Sequence, residues 1–238
     1  MPRMPVSLIL PCYAPQPGWE QIVRSGAEAF RQVIGEQMEL ILVLDGRSDT
    51  VTDATLQWLK DNLPYLQVIQ YDENMGKGYA IRQGVTAAGG DIIMYTDIDL
   101  PYTLASMEAV YRRLHNNECD IAAGVKDEAY YSHVPAMRRI ISRGLRFFTR
   151  SLLSMPITDT QCGLKGFRRS AAEVFLSTTI NRYLFDLEFI YKGCCDKRYR
   201  VMAIPVTLRD NITFRRMNYR ILLPEMADFM KLLLNRPR

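Results

Sequence analysis

Through the first half of the chain, short aliphatic runs alternate with segments of helical period, and that alternation leaves few folds open. Val6–Leu10, Glu39–Leu44, Leu66–Tyr71 and Asp91–Thr96 read as strands rich in Val, Ile and Leu. Trp19–Ile34, Asp49–Asn62 and Lys77–Ala88 carry apolar residues at helical spacing between them. Such alternation predicts an α/β fold: a mostly parallel sheet with right-handed crossovers, flanked by helices. Sheets of this kind bind ligands beyond the carboxyl ends of their strands. Asp45, after the second strand, and Asp97 and Asp99, after the fourth, fall at those ends.

From Leu104 the pattern changes. A helix near Leu104–Asn116 is followed by a short strand, Ile121–Gly124, and a polar, tyrosine-bearing loop to Val134. A long helix, Pro135–Met155, comes next, then a turn-rich stretch, Ile157–Phe167, and two shorter helices. A strand, Arg200–Pro205, and an amphipathic helix, Tyr219–Asn235, complete the sequence. At 238 residues, with no repeat, low-complexity run or flexible linker, a single domain over 1–238 is expected.

Composition narrows the chemistry. Hydrophobic residues make up 48% and charged residues 24%, the balance of an ordinary globular protein. The five cysteines form no C-x-x-C pair, and two histidines supply no zinc-like spacing. Adjacent Cys194 and Cys195 suit neither an ordinary disulfide nor a tetrahedral site. Reduced thiols in a cytoplasmic protein are the expectation. Val6–Leu10, closed by Pro11, is too short for a signal peptide, and no window approaches the roughly 20 apolar residues of a membrane span. The net charge of +4 is modest and gives no sign of nucleic acid.

Tyr95-Thr96-Asp97-Ile98-Asp99-Leu100 puts two carboxylates one residue apart at a strand end. In an extended segment they project to one side, and two like charges so close call for a cation or an array of donors. A hard divalent ion completed by substrate phosphates satisfies that need. The alternative is a pair of loop aspartates capping the helix near Leu104. Asn74-Met-Gly-Lys-Gly-Tyr79 follows the third strand and opens a helix, where Gly76 and Lys77 would let backbone and ammonium approach an anion. It is neither a P-loop nor a dinucleotide fingerprint, and a plain tight β–α turn explains it equally well. Asp45-Gly46-Arg47-Ser48-Asp49 offers Ser48 or Asp49 as a helix cap, while Asp45 could accept hydrogen bonds from a base or ribose.

In Pro135–Met155, Arg139, Arg143, Arg146 and Arg150 form one stripe, opposite Ile141, Leu145, Phe148, Leu152 and Met155. The stripe is either a solvated face or a surface for lipid headgroups and phosphate. Asp159-Thr-Gln-Cys-Gly163 and Tyr183-Leu-Phe-Asp-Leu-Glu188 follow. Asp186 and Glu188 lie two apart on a helix, so only one can face a common site. A hydroxyl acceptor would need Asp186, Glu188 or Asp159 as general base. A phosphate-monoester acceptor would not, being an anion already at neutral pH.

In this order, these stretches resemble family 2 glycosyltransferases of the GT-A fold, above all the dolichyl- and polyprenyl-phosphate glucose and mannose synthases. The matching segments are Leu8–Tyr13, Val43–Asp49, Gly76–Arg82, Tyr95–Leu100, Asp159–Phe167 and Phe185–Glu188. The resemblance implies a Rossmann-like sheet whose residues 1–100 hold a nucleotide diphosphate sugar, of the UDP-glucose or GDP-mannose type, while 101–216 hold the acceptor. It also implies that Pro11, Tyr13 and Asp45 line the nucleotide pocket and that Asp97 and Asp99 hold Mg²⁺ or Mn²⁺ on the diphosphate. Arg209 would reach that diphosphate; Lys126, Arg138 and Ser142 would meet the phosphate of a polyprenyl acceptor. The activity implied is metal-dependent, inverting hexose transfer by a peripheral protein on the cytoplasmic face of a membrane, with 217–238 as an amphipathic helix. A membrane-protein partner or a second copy of the chain is compatible with it. The rivals are transfer to a saccharide hydroxyl and a non-catalytic membrane-surface protein retaining the fold. Departures from the family pattern are Ala14-Pro15 after Tyr13, Leu44 in place of an Asp, and Asn211–Arg216 in place of a G-x-S-K element.

Overall fold

The computed structural model describes residues 4–126, 153, 155, 157, 159–160, 162–210 and 222–234. The helix expected over Pro135–Met155 with its arginine stripe, Arg138, Ser142 and the segment 211–216 lie outside the described residues, apart from Leu153 and Met155.

Strands β1 (Val6–Cys12), β2 (Met38–Asp45), β3 (Leu66–Tyr71) and β4 (Ile92–Tyr95) alternate with helices α1 (Trp19–Ile34), α2 (Asp53–Asn62) and α3 (Lys77–Ala87). After α4 (Leu104–His115) come β5 (Ile121–Lys126), β6 (Lys165–Arg168), α5 (Ala172–Leu176), α6 (Phe185–Cys195), β7 (Val201–Val206) and α7 (Leu222–Leu234). They build one seven-stranded sheet in the order β3-β2-β1-β4-β6-β5-β7. β1 pairs in parallel with both β2 and β4, β2 with β3, and β5 with β7. Among the described strands, β6 alone runs antiparallel, between β4 and β5. The expected sheet is therefore present as a mixed one. The stretch read as turns over Ile157–Phe167 contains the start of β6.

Alternation along the strands divides the interior into two layers. Leu8, Leu10, Leu40, Leu42 and Met94 face the layer of α1, α2 and α4. Ile9, Ile41, Val43, Ile93 and Tyr95 face that of α3, α5 and α6, where Leu153, Met155 and Ile157 are also buried. Central strands covered on both faces explain why the sequence shows continuous apolar runs. The helix ends follow local chemistry. Thr52, rather than Ser48 or Asp49, caps α2 by accepting from Thr55 N at 3.2 Å, and Gly35 closes α1 at φ 67°. Among the described residues, no helix is long and apolar enough to cross a membrane.

The strand order reverses between β1 and β4, because β2 and β3 lie to one side of β1 and β4 to the other. A crevice at such a switch point is where open α/β sheets take their ligands. Pro11 stands beyond the last β1–β4 partners, Ile9 and Tyr95, where its missing N–H removes no bond to β4. Tyr13, two residues further on, is 53% exposed.

Candidate active site

β4 ends at Tyr95, and the chain then turns sharply. Leu100 N donates to Asp97 O at 2.9 Å, so Asp97, Ile98 and Asp99 form a turn and not the extended segment expected from the sequence. Leu100 sits at φ 44°, a left-handed conformation that is unfavourable for a leucine. Its side chain is buried in the first core against Gly26, where an added Cβ would collide with Leu100 Cδ1. A core anchor thus fixes the turn that carries both carboxylates. The aspartates do not cap α4: Thr103 does, accepting from Ser106 N at 3.2 Å.

Positive charge surrounds the turn. Lys77 Nζ lies 2.5 Å from Asp97 Oδ1, with the lysine side chain 21% and the aspartate 40% exposed. Burial pushes the Asp97 carboxyl up, but the charges of Lys77, Lys126 and Lys165 outweigh it and hold the group below its ordinary range. Burial and the neighbouring Asp97 push Asp99 up instead. Arg209 donates to the backbone oxygen of Asp99 at 2.6 Å, and its own N–H binds Pro101 O at 2.8 Å. Lys126, at the end of β5, is tied through its backbone N–H to Asp159 Oδ2 at 2.7 Å. Asp97, Asp99, Lys77, Lys126 and Arg209 are thereby gathered in one place.

Gly163 was not among the sequence candidates. A Cβ there would collide with the Asp97 carboxylate, so the glycine of Asp159-Thr-Gln-Cys-Gly163 provides the space that Asp97 fills. The signal was a glycine inside a motif in which only the carboxylate had drawn attention. Among the described residues, no cluster of three or more His, Cys, Asp or Glu side chains is arranged for a metal. Asp97 and Asp99 nonetheless fit a hard divalent ion: both are oxygen donors on one turn, with Asp97 seated against Gly163, and phosphates and water would complete the shell.

Asp45 and Gly76 play other parts than those expected. Both Asp45 oxygens accept from the β3–α3 loop: Tyr71 OH at 2.9 Å, Asn74 Nδ2 at 3.0 Å, Met75 N at 2.8 Å and Gly76 N at 3.0 Å. The carboxylate expected to meet a base or ribose is saturated by the chain itself and shapes the loop. Gly76, at φ 100°, lies under Asn181, whose carbonyl oxygen an added Cβ would meet at 2.5 Å. Gly78 N donates to that same oxygen at 2.7 Å. A backbone carbonyl therefore occupies the start of α3, where an anion had been the expectation; the glycines admit residues 180–182.

Asp186 and Glu188 diverge around α6, as their spacing requires. Asp186 accepts from Tyr95 OH at 2.6 Å and pairs with Lys165 Nζ at 3.0 Å, all three being buried. Lys165 also donates to Thr160 O at 3.0 Å and to Cys162 O. Glu188 points away from the crevice, accepting from Thr179 N at 2.9 Å and Ile180 N at 2.8 Å and pairing with Lys192. As a catalytic base Glu188 is therefore a correction: its oxygens are committed to the segment beneath α3. Glu188→Gln is expected to lower stability by about 1–3 kcal/mol in urea unfolding, with unchanged turnover per folded molecule. A loss of turnover without a loss of stability would return Glu188 to the chemistry.

The chain is similar to known proteins in sequence and in fold. The chain is 25% identical over 199 residues to a dolichyl-phosphate beta-glucosyltransferase of Dictyostelium discoideum, covering 78% of this chain and 61% of that one. It thus spans about three fifths of that relative's length. In three dimensions it resembles a glucosyl-3-phosphoglycerate synthase from Mycobacterium tuberculosis in complex with Mn²⁺, UDP and phosphoglyceric acid, at TM-score 0.58 and 15% identity over 97% of this chain and 76% of that one. It also resembles a mannosyltransferase from Pyrobaculum calidifontis in complex with GDP-Man and Mn²⁺, at TM-score 0.58 and 18% identity over 99% of this chain and 66% of that one. These likenesses identify the fold as GT-A. The family model described as glycosyl transferase family 2 matches residues 7–176, and the chain belongs to that family.

Proposed function

We propose that the chain moves a hexose, with inversion, from a nucleotide diphosphate sugar to a polyprenyl or dolichyl phosphate at the cytoplasmic face of a membrane. The observation that carries the reading is the state of the carboxylates around the crevice. Asp97 and Asp99 crown an anchored turn amid four cationic side chains, whereas Asp159, Asp186 and Glu188 are each held by neighbours inside the fold. That these three carboxylates, among the described residues, are already engaged suits an acceptor that is itself an anion.

In this reading residues 1–100 bind the donor, with Pro11 and Tyr13 beside the nucleotide, and residues 101–216 bind the acceptor. An acceptor phosphate oxygen attacks the anomeric carbon from the face opposite the leaving diphosphate; the bond from that carbon to the diphosphate oxygen breaks, and its electron pair stays on the diphosphate. Asp97 and Asp99 would hold Mg²⁺ or Mn²⁺, which neutralises charge building on the leaving group. Lys77 and Arg209 place positive charge on the same side. Lys126, with Arg138 and Ser142, orients the acceptor phosphate, and 217–238 rest on the membrane surface, where a membrane-protein partner or second copy could join. The relative named a dolichyl-phosphate beta-glucosyltransferase supports the acceptor class; the Mn²⁺ complexes with UDP and with GDP-Man support the ion and leave the base open.

The test incubates the protein with UDP-glucose or GDP-mannose, Mn²⁺ and a short polyprenyl phosphate. Labelled sugar on the lipid is the expected result. Labelled sugar on a saccharide hydroxyl, with none on the lipid, would overturn the acceptor.

A further inference from the structure

We propose that Lys77 is the resident counter-cation of the Asp97–Asp99 turn, and that it yields Asp97 to a divalent ion when that ion arrives together with a nucleoside diphosphate. The inference starts from what can move. Lys77 is the first residue of α3, and the backbone on both sides of it is fixed: Gly76 N donates to Asp45 and Gly78 N to Asn181 O. Its root cannot follow a ligand, so only the flexible side chain can change partner.

Its neighbours differ. Lys165 is fully buried and committed to Asp186 and two backbone carbonyls, so it cannot leave. The Lys77 ammonium reaches Asp97 at 2.5 Å from the partly exposed side of the crevice. It also lies in the field of Asp186, behind that pair.

A divalent ion alone would have to displace an ammonium from the same carboxylate oxygen while Lys126, Lys165 and Arg209 remain close by. Like charges a few ångströms apart at a partly buried site repel strongly, so the bare ion meets a poor site. A diphosphate reverses the balance. Its oxygens accept the ammonium, a compact charge on a flexible stem, and share the ion with Asp97 and Asp99. Lys77 then stands beside the group that gains negative charge when the sugar leaves. Ion and donor are thus coupled: each makes room for the other, and the coupling is reciprocal.

The inference rests on the proposed function only for the nature of the diphosphate, and the experiment separates the two. Free Mn²⁺ is followed by its paramagnetic resonance signal in titrations of wild type, Lys77→Gln and Lys77→Arg, first with MnCl₂ alone, then with UDP or GDP. Lys77→Gln is expected to bind Mn²⁺ alone roughly tenfold more tightly than wild type, because the competing charge is gone. It should also lose most of the enhancement that nucleotide gives to wild type. Lys77→Arg keeps the charge and should keep the weak binding of the bare ion. The partial exposure of Asp97 makes both variants compatible with folding, and enhancement in wild type needs no variant. Equal or weaker binding of Mn²⁺ alone by Lys77→Gln, or a matching gain in Lys77→Arg, would overturn the counter-cation role. If neither UDP nor GDP strengthens Mn²⁺ binding to wild type, the donor assignment fails, while the bare-ion comparison still decides the role of the lysine.

Discussion

Asp97→Asn is expected to reduce sugar transfer on the order of 10³-fold while moving the melting temperature by no more than a few degrees. The magnitude is that of removing a preorganised charge from a site where charge develops during reaction. The small effect on stability follows from position: Asp97 is on a turn, 40% exposed, and its partner Lys77 is itself partly exposed. Asp97→Glu should not rescue activity. Gly163 stands against the carboxylate already, so an added methylene would shift the oxygens from the position that Gly163 and Lys77 define. Initial rates with the same donor and acceptor, together with a Mn²⁺ titration, make the check. Transfer at the wild-type rate by Asp97→Asn would remove the pair from the mechanism.

Lys165→Met should act through the opposite route. Lys165 is completely buried, and its ammonium satisfies Asp186 and the carbonyls of Thr160 and Cys162. Removing one partner of a buried ion pair leaves the other uncompensated and costs about 3–5 kcal/mol. For a chain of this length that corresponds to a melting temperature lower by roughly 10 °C. Transfer should fall as well, because the Thr160–Cys162 carbonyls position the segment that carries Gly163 to Asp97. The double variant Lys165→Met with Asp186→Leu is expected to recover part of the stability, since an apolar pair can replace a buried ionic one. Recovery stays incomplete: two carbonyls and the Tyr95 hydroxyl have lost their partners. Urea unfolding of the three proteins measures this, and a loss below ~1 kcal/mol for the single variant would show the pair to be dispensable.

What could be read from the sequence depended on the range of the interactions. The first four strands and three helices were legible because each buries its own periodic apolar residues, and every strand among them overlaps its expected position. The start of α2 shifted to Asp53 because Thr52, and no earlier residue, caps the helix. β6 was not legible. Lys165-Gly166-Phe167-Arg168 has a lysine and a glycine in four residues and becomes a strand only because β4 and β5 offer it two edges. Lys165 reads as a surface residue until Asp186, distant in sequence, comes to meet it.

Within the site, Asp97 and Asp99 were found by type and placement. Their local conformation was not, because the turn is set by Leu100 packing beside Gly26. Asp45 and Gly76 were correctly placed near strand and helix ends but assigned to a ligand. The residues that claim them, Asn74, Met75 and Asn181, carry no pattern that announces contact.

The antiparallel β6 also sets an order of assembly. β1 to β4 all lie before Thr96, whereas β6, which pairs with β4, begins only at Lys165. During synthesis, then, the β1–β4 half can form while β4 is still an open edge, exposed to pairing with the wrong chain. At that stage Asp97 has neither Gly163 at its side nor Lys165 behind it, since both arrive with the returning strand. A partly folded molecule therefore holds most of the sheet and none of the finished crevice. Chains arrested during synthesis before Lys165 should therefore show a helical signal without sugar transfer.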